Sequence, residues 1–163
     1  MISSLIPTLL AATVAAPNDG AAILQAANGL RIQGASFAAD RGFGSLGREA
    51  PSSFEGHLAW ARFLLEEGRA DQALGPAGVA SRLEPYDAAA YAVRAEARLR
   101  SGQGDSGRAL LDKALEMDPW SPDALLALAE VLREGGDGKN EASVLERALE
   151  VAGDDPRVLQ AAA

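Results

Sequence analysis

The chain has no cysteine and a single histidine, His57, in 163 residues. Disulfides, thiolate nucleophiles and cysteine-ligated zinc are thereby excluded, and most histidine-based catalysis and metal binding goes with them. Serine or carboxylate chemistry stays open on composition alone. Basic residues are also scarce: 15 Lys and Arg face 23 Asp and Glu, a formal net charge of −8 with a pI near 4.6. Excess acid opposes the counterion release that drives binding to nucleic acid, so no nucleic-acid partner is expected. Aromatics make up only 5% while glycine supplies 17 residues, which leaves Ala, Leu and Val to build the core. Such a core suits close-packed helices better than a β-sandwich. At 48% apolar and 23% charged the composition is that of a globular chain.

No run approaches the roughly 20 apolar residues that span a bilayer, so no transmembrane segment is expected. The longest apolar stretch, residues 5–16, has the length of a signal-peptide core, and Thr13-Val14-Ala15 suits cleavage, yet no Lys or Arg precedes it. An amphipathic helix closed by Pro17-Asn18-Asp19-Gly20 is the favoured reading, with a cytoplasmic location and export as the alternative.

What the chain does have is a repeat. Pro51, Pro85 and Pro119 lie 34 residues apart, as do Gly34, Gly68, Gly102 and Gly136. The same interval links Ala27, Ala61, Ala95 and Ala129, and again Ala80, Ala114 and Ala148. Four series sharing one period point to stacked supersecondary units. Each unit carries the marks of two helices and a tight turn. Ser121 is a candidate N-cap, Pro122 fits the first helical position, and Asp123 sits in the first turn, where the helix dipole favours an acid. Ala124, Leu125, Leu128, Ala129 and Leu132 follow as one apolar stripe that Gly135-Gly136 ends. Leu110, Leu111, Ala114 and Leu115 form the stripe of a second helix, stopped by Pro119. The alanines allow antiparallel helices to approach closely at their crossings.

The stretch His57, Trp60, Ala61, Leu64, Gly68, Ala73, Ala80, Pro85 resembles the tetratricopeptide repeat family, and Tyr91, Ala95, Gly102, Ala114, Leu115, Asp118, Pro119 match it too. Leu125, Leu128, Ala129, Leu132, Gly136, Ala148 follow the same pattern, with the closing proline displaced to Pro156. The resemblance implies an all-α, right-handed solenoid of antiparallel helix pairs. In this frame residues 1–163 form one repeat domain: a partial unit at 1–19, a degenerate repeat at 20–53, clear repeats at 54–87, 88–121 and 122–155, and a helix start at 156–163. Gly42, Gly44 and Gly47 predict loop or frayed helix in the second half of the degenerate repeat, each costing about 1 kcal/mol against Ala. Pro76 within Gly75-Pro76-Ala77-Gly78 predicts a kink or a late helix start.

Arrays of this family are lined on their concave side by first helices, and the resemblance implies a protein or peptide partner in that groove. The groove-facing positions are Leu24, Asn28 and Arg31; Leu58, Arg62 and Leu65; Ala92, Glu96 and Leu99; Leu126, Glu130 and Arg133. The row Leu24, Leu58, Ala92, Leu126 is apolar and charges of both signs run beside it, which suggests an amphipathic or extended peptide. The carboxylate clamp by which some members hold chaperone tails is not matched, since Leu58, Arg62, Ala92, Val93, Glu96 and Ala127 occupy its positions. His57 and Trp60 read as packing residues, and Trp120 as a brace of its turn or an interface anchor. Gly102-Gln103-Gly104-Asp105 reads as an inter-helix turn rather than a phosphate cradle. No cofactor, no metal and no catalytic activity are expected. Two functions remain: an interaction scaffold, which is preferred, or the regulatory or substrate-presenting arm of a bacterial enzyme such as a transferase, which a catalytic domain beyond Ala163 would mark. An N-terminal stripe, Leu5, Ile6, Leu9, Leu10 and Val14, and the start of another first helix at Arg157, Val158, Leu159 and Gln160 suggest that at least one end is covered by self-association or by a partner, or that the chain belongs to a longer repeat array.

Overall fold

The computed structural model describes residues 20–163. The expectations placed on residues 1–19, a partial repeat unit or a signal peptide, lie outside the described residues. Nine helices follow one another among those described: α1 (Gly20–Ile32), α2 (Ser36–Glu49), α3 (Phe54–Glu66), α4 (Ala70–Leu83), α5 (Ala88–Arg100), α6 (Gly104–Met117), α7 (Pro122–Glu134), α8 (Gly138–Ala152) and α9 (Pro156–Ala161). Consecutive helices pair as hairpins, and the pairs stack into an all-α, right-handed solenoid. The first helices α1, α3, α5, α7 and α9 pack on one another in sequence, while each second helix also touches the first helix of the next pair.

The turn inside each pair is built the same way. Gly34, Gly68, Gly102 and Gly136 have φ of 73°, 71°, 78° and 75°, the left-handed region where a Cβ is strained. At each, the amide after the glycine donates five residues back, as from Arg69 to the Leu64 carbonyl at 2.8 Å, which closes a Schellman motif and satisfies the helix end. The helix starts are capped less uniformly. The Asp87 carboxylate accepts from the Ala90 amide at 2.8 Å and Ser53 Oγ from the Gly56 amide at 3.1 Å. Ser121 stands at the N-cap of α7, but its side chain makes no cap bond; Pro122 at the first position already removes one orphan donor there.

The periodic alanines are the crossings. Ala27, Ala61, Ala95 and Ala129 on the first helices and Ala80, Ala114 and Ala148 on the second are essentially inaccessible to solvent. Larger side chains fill between them, led by Phe43 and Phe63, whose ring centroids are 5.2 Å apart. The core is a series of clusters along the stack rather than a single centre, as expected when each unit buries its apolar face on its neighbours.

Two local expectations are corrected. Residues 36–49 form a continuous helix, neither loop nor frayed, because two of its glycines serve close approach. A Cβ on Gly42 would stand 3.0 Å from Ala27 Cβ, and one on Gly47 would lie 3.3 Å from the Trp60 ring. The second concerns Pro76. Helix α4 begins at Ala70 and runs unbroken to Leu83, so the proline does not delay its start. Its ring is buried, and that apolar burial offsets the one hydrogen bond it forgoes.

Candidate functional site

Side chains on the inner faces of the first helices recur at 34-residue intervals, so residues from different repeats stand in columns. One column runs Glu55, Ala89, Asp123, Arg157, another Asn28, Arg62, Glu96, Glu130, and a third Ile32, Glu66, Arg100, Glu134. Charges of opposite sign meet across these columns.

The longest link joins α3 to α7. Arg62 donates from Nε to Asp123 Oδ1 at 3.0 Å and from Nη2 to Oδ2 at 2.5 Å, spanning the intervening pair of α5 and α6. Arg157 of α9 donates to the same Asp123 oxygen at 2.6 Å and to Asp155 at 2.6 Å, so one carboxylate, only 5% exposed, holds two guanidinium groups. Burial works against the charge of Arg157, but its bonds to Asp155 and Asp123 outweigh that and keep it protonated more firmly than usual. Burial likewise opposes ionisation of Asp155, and Arg157 overcomes it, leaving that carboxyl below the ordinary carboxylate range.

A second cluster lies beside the first. Arg100 bonds Glu130 through Nε at 3.0 Å, Glu96 through Nη2 at 3.0 Å, and the Leu65 carbonyl through Nη1 at 3.2 Å. Burial pushes the Glu96 carboxyl up to about 7; Arg100 pulls it down, and Glu130 and Asp123 push it further up. At the N-terminal end of the groove Arg31 pairs with Glu66 at 2.8 Å.

Two adjoining cavities open on this surface. The larger, about 560 Å³, lies between α1 and α3 on one side and α9 on the other, lined by Asn28, Arg31, Arg62, Phe63, Glu66, Arg157 and Gln160 among others. The smaller, about 330 Å³, holds Leu65, Glu96, Arg100, Leu126, Glu130 and Arg133. Guanidinium and carboxylate groups alternate along both, with amides and short apolar patches between.

The structure divides the sequence-expected residues. Arg62, Glu96, Glu130 and Arg133 line the cavities, and Leu126 and Leu65 contribute apolar wall. The continuous apolar row is not present at the surface. Leu58 is only 7% exposed, Ala92 is inaccessible, and Leu65 is buried, because they pack the first helices against their neighbours. Leu24 is half-buried against the same core, and Leu99 turns onto Gly107 of α6. Glu66, Arg100, Asp123, Asp155, Arg157 and Gln160 complete the surface and do not emerge from the groove-facing positions. The signal for most of them is the opposite charge one or two repeats away in a neighbouring column. His57 is buried, its Nε2 3.1 Å from the Pro51 carbonyl, and Trp60 packs on the core. Trp120 braces its turn, with Arg147 stacked on its ring and donating to the Pro119 carbonyl at 2.7 Å. No described helix is long and apolar enough to cross a membrane.

Residues 98–163 match the family model for Tetratricopeptide repeat. That C-terminal stretch is similar to tetratricopeptide repeats. No curated protein sequence matches the chain. Among solved structures it is similar to TTC0263, a thermophilic TPR protein of Thermus thermophilus, at 22% identity with a TM-score of 0.71, covering 94% of this chain and 85% of that one. MamA from Desulfovibrio magneticus RS-1 superposes with a TM-score of 0.65 at 22% identity, covering 85% of this chain and 78% of that chain. Cut9, solved in the APC/C hetero-tetramer Cut9-Hcn1, gives a TM-score of 0.75 at 17% identity over 90% of this chain and 28% of its own length. At these identities the likeness is one of fold.

Proposed function

We propose that this tetratricopeptide-repeat chain is a protein–protein interaction scaffold whose concave surface takes an extended segment of a partner protein. The observation that carries this reading is the alternation of guanidinium and carboxylate groups along two adjoining cavities of about 560 and 330 Å³. An extended peptide offers amide donors and acceptors at regular intervals and side chains of either sign, and such a surface can answer each. Large apolar ligands find little here, since the leucines of the inner helices are mostly committed to packing. The Cut9-Hcn1 hetero-tetramer supports the reading by showing this fold within a multiprotein assembly. Leu126, Arg62, Glu96, Glu130 and Arg133 are the contact residues in this proposal, joined by Arg31, Glu66 and Gln160.

Photo-crosslinking tests it. A benzophenone side chain at Glu66 or Arg133 should capture the partner in cells, whereas one at Arg108, exposed on α6, should not. Capture from position 108 alone would place the partner on the convex side and overturn the proposal.

A further inference from the structure

The edge of the solenoid formed by the turns between repeats is chemically unlike the groove. Tyr86 and Trp120 stand 34 residues apart, each directly after a proline, so they occupy equivalent places on neighbouring repeats. Tyr86 is 91% exposed and Trp120 49%. First helices that pack side by side are about 8–10 Å apart, which sets the spacing of the two rings along the edge. Acid surrounds them. Glu84 and Asp87 bracket Pro85-Tyr86, Glu116 and Asp118 precede Pro119-Trp120, and Glu150 and Asp154 continue the edge; Arg82 and Arg147 are the bases among them.

The repeat register shows what these rings accept. Arg147 on α8 lies 4.9 Å from the Trp120 ring centroid, a cation–π contact made by a residue 27 positions after the aromatic. The corresponding residue for Tyr86 is Lys113 on α6, also a cation. Lys113, however, is drawn inward to Tyr91. Its Nζ stands 4.1 Å from that ring centroid and donates to the Tyr91 hydroxyl at 3.0 Å. The Tyr86 ring is thus left without the cation that its neighbour holds, on an acidic edge and open to solvent.

We infer that this inter-repeat edge is a second docking surface, independent of the groove, for an arginine-bearing protein segment whose guanidinium stacks on Tyr86 while further cationic residues meet Glu84, Glu116 and Asp118. The aromatic face provides discrimination and the carboxylates attraction. A polycation attracted by net charge alone would not distinguish Tyr86 from a serine.

The probe is a fluorescein-labelled dodecapeptide of alternating Arg and Ser, titrated at near-physiological salt and followed by anisotropy. Wild type should bind it. Tyr86→Ser, which alters no charge at an exposed site, should weaken binding roughly three- to fivefold, the scale of an exposed cation–π contact, and Tyr86→Phe should restore it. Asp71→Asn, which removes an exposed acid from the first turn of α4 beside an intra-pair turn, should leave the affinity unchanged. Equal binding by wild type and Tyr86→Ser, no binding by wild type, or an equal loss through Asp71→Asn would each overturn the inference, and none of these bears on the groove cross-links.

Discussion

Arg62 and Asp123 are joined by two hydrogen bonds across the repeat that separates them. Solenoid stability is ordinarily a sum of unit and nearest-neighbour terms. This bridge adds a term between units that are not neighbours, and Arg157 extends it to α9 through the same carboxylate.

Asp123→Ala leaves Arg62 and Arg157 facing one another with their shared acceptor gone. Breaking a fully buried pair costs about 3–5 kcal/mol, and the partial solvation of both guanidiniums lowers the expected loss to about 2 kcal/mol. Urea unfolding should show that loss, and Arg62→Ala combined with Arg157→Ala should be non-additive in a double-mutant cycle.

Glu96 gives the stability a pH dependence of defined sign. Its carboxyl titrates near 4.5 in an unfolded chain and at about 7 in the folded one, where burial is the largest cause. Between those values the folded state holds the extra proton, so this group makes the protein less stable as pH rises from 4.5 towards 7. Glu96→Gln should remove that slope in melting temperature against pH. Carboxyl carbon NMR of wild type should find one glutamate with a midpoint near neutrality.

Two glycines within helices should respond in opposite ways to alanine. A Cβ on Gly107 would lie 2.7 Å from Leu99 Cγ and 3.0 Å from the Leu99 backbone nitrogen, so Gly107→Ala should destabilise by about 1–3 kcal/mol. Gly29 in α1, which is followed by Leu30 rather than by a proline, meets open space, and Gly29→Ala should stabilise by about 0.5–1 kcal/mol through helix propensity. Paired denaturation curves distinguish the two.

The alanine crossings tolerate no enlargement. Ala95→Leu at an inaccessible position should cost at least about 1–3 kcal/mol by overpacking, while Ala109→Leu on the exposed side of α6 should change the midpoint little.

What is legible in the sequence follows from the period. Small residues at crossings and glycine at left-handed turns are demanded by the backbone at every repeat, so they leave fixed-interval traces. The helix at 36–49 is hidden because a propensity scale counts Gly42 and Gly47 as losses and has no knowledge of Ala27 and Trp60 lying against them. Helix position assigns Leu58 and Ala92 to the groove because position alone does not say how closely the next first helix packs. The ion network escapes because Arg62 and Asp123 are 61 residues apart and belong to different columns, visible only when the columns are laid side by side.

The four left-handed glycines act as hinges set to one angle. A helix of 13 residues is about 20 Å long, so a change of about 5° at such a hinge moves the far end of the arm by about 2 Å. Gly68 and Gly102 both lie on the path from Arg62 to Asp123, and hydrogen bonds near 3 Å do not survive that displacement. Replacing either would therefore act at a distance as a misalignment, detuning the bridge by leverage while leaving every side chain in it intact.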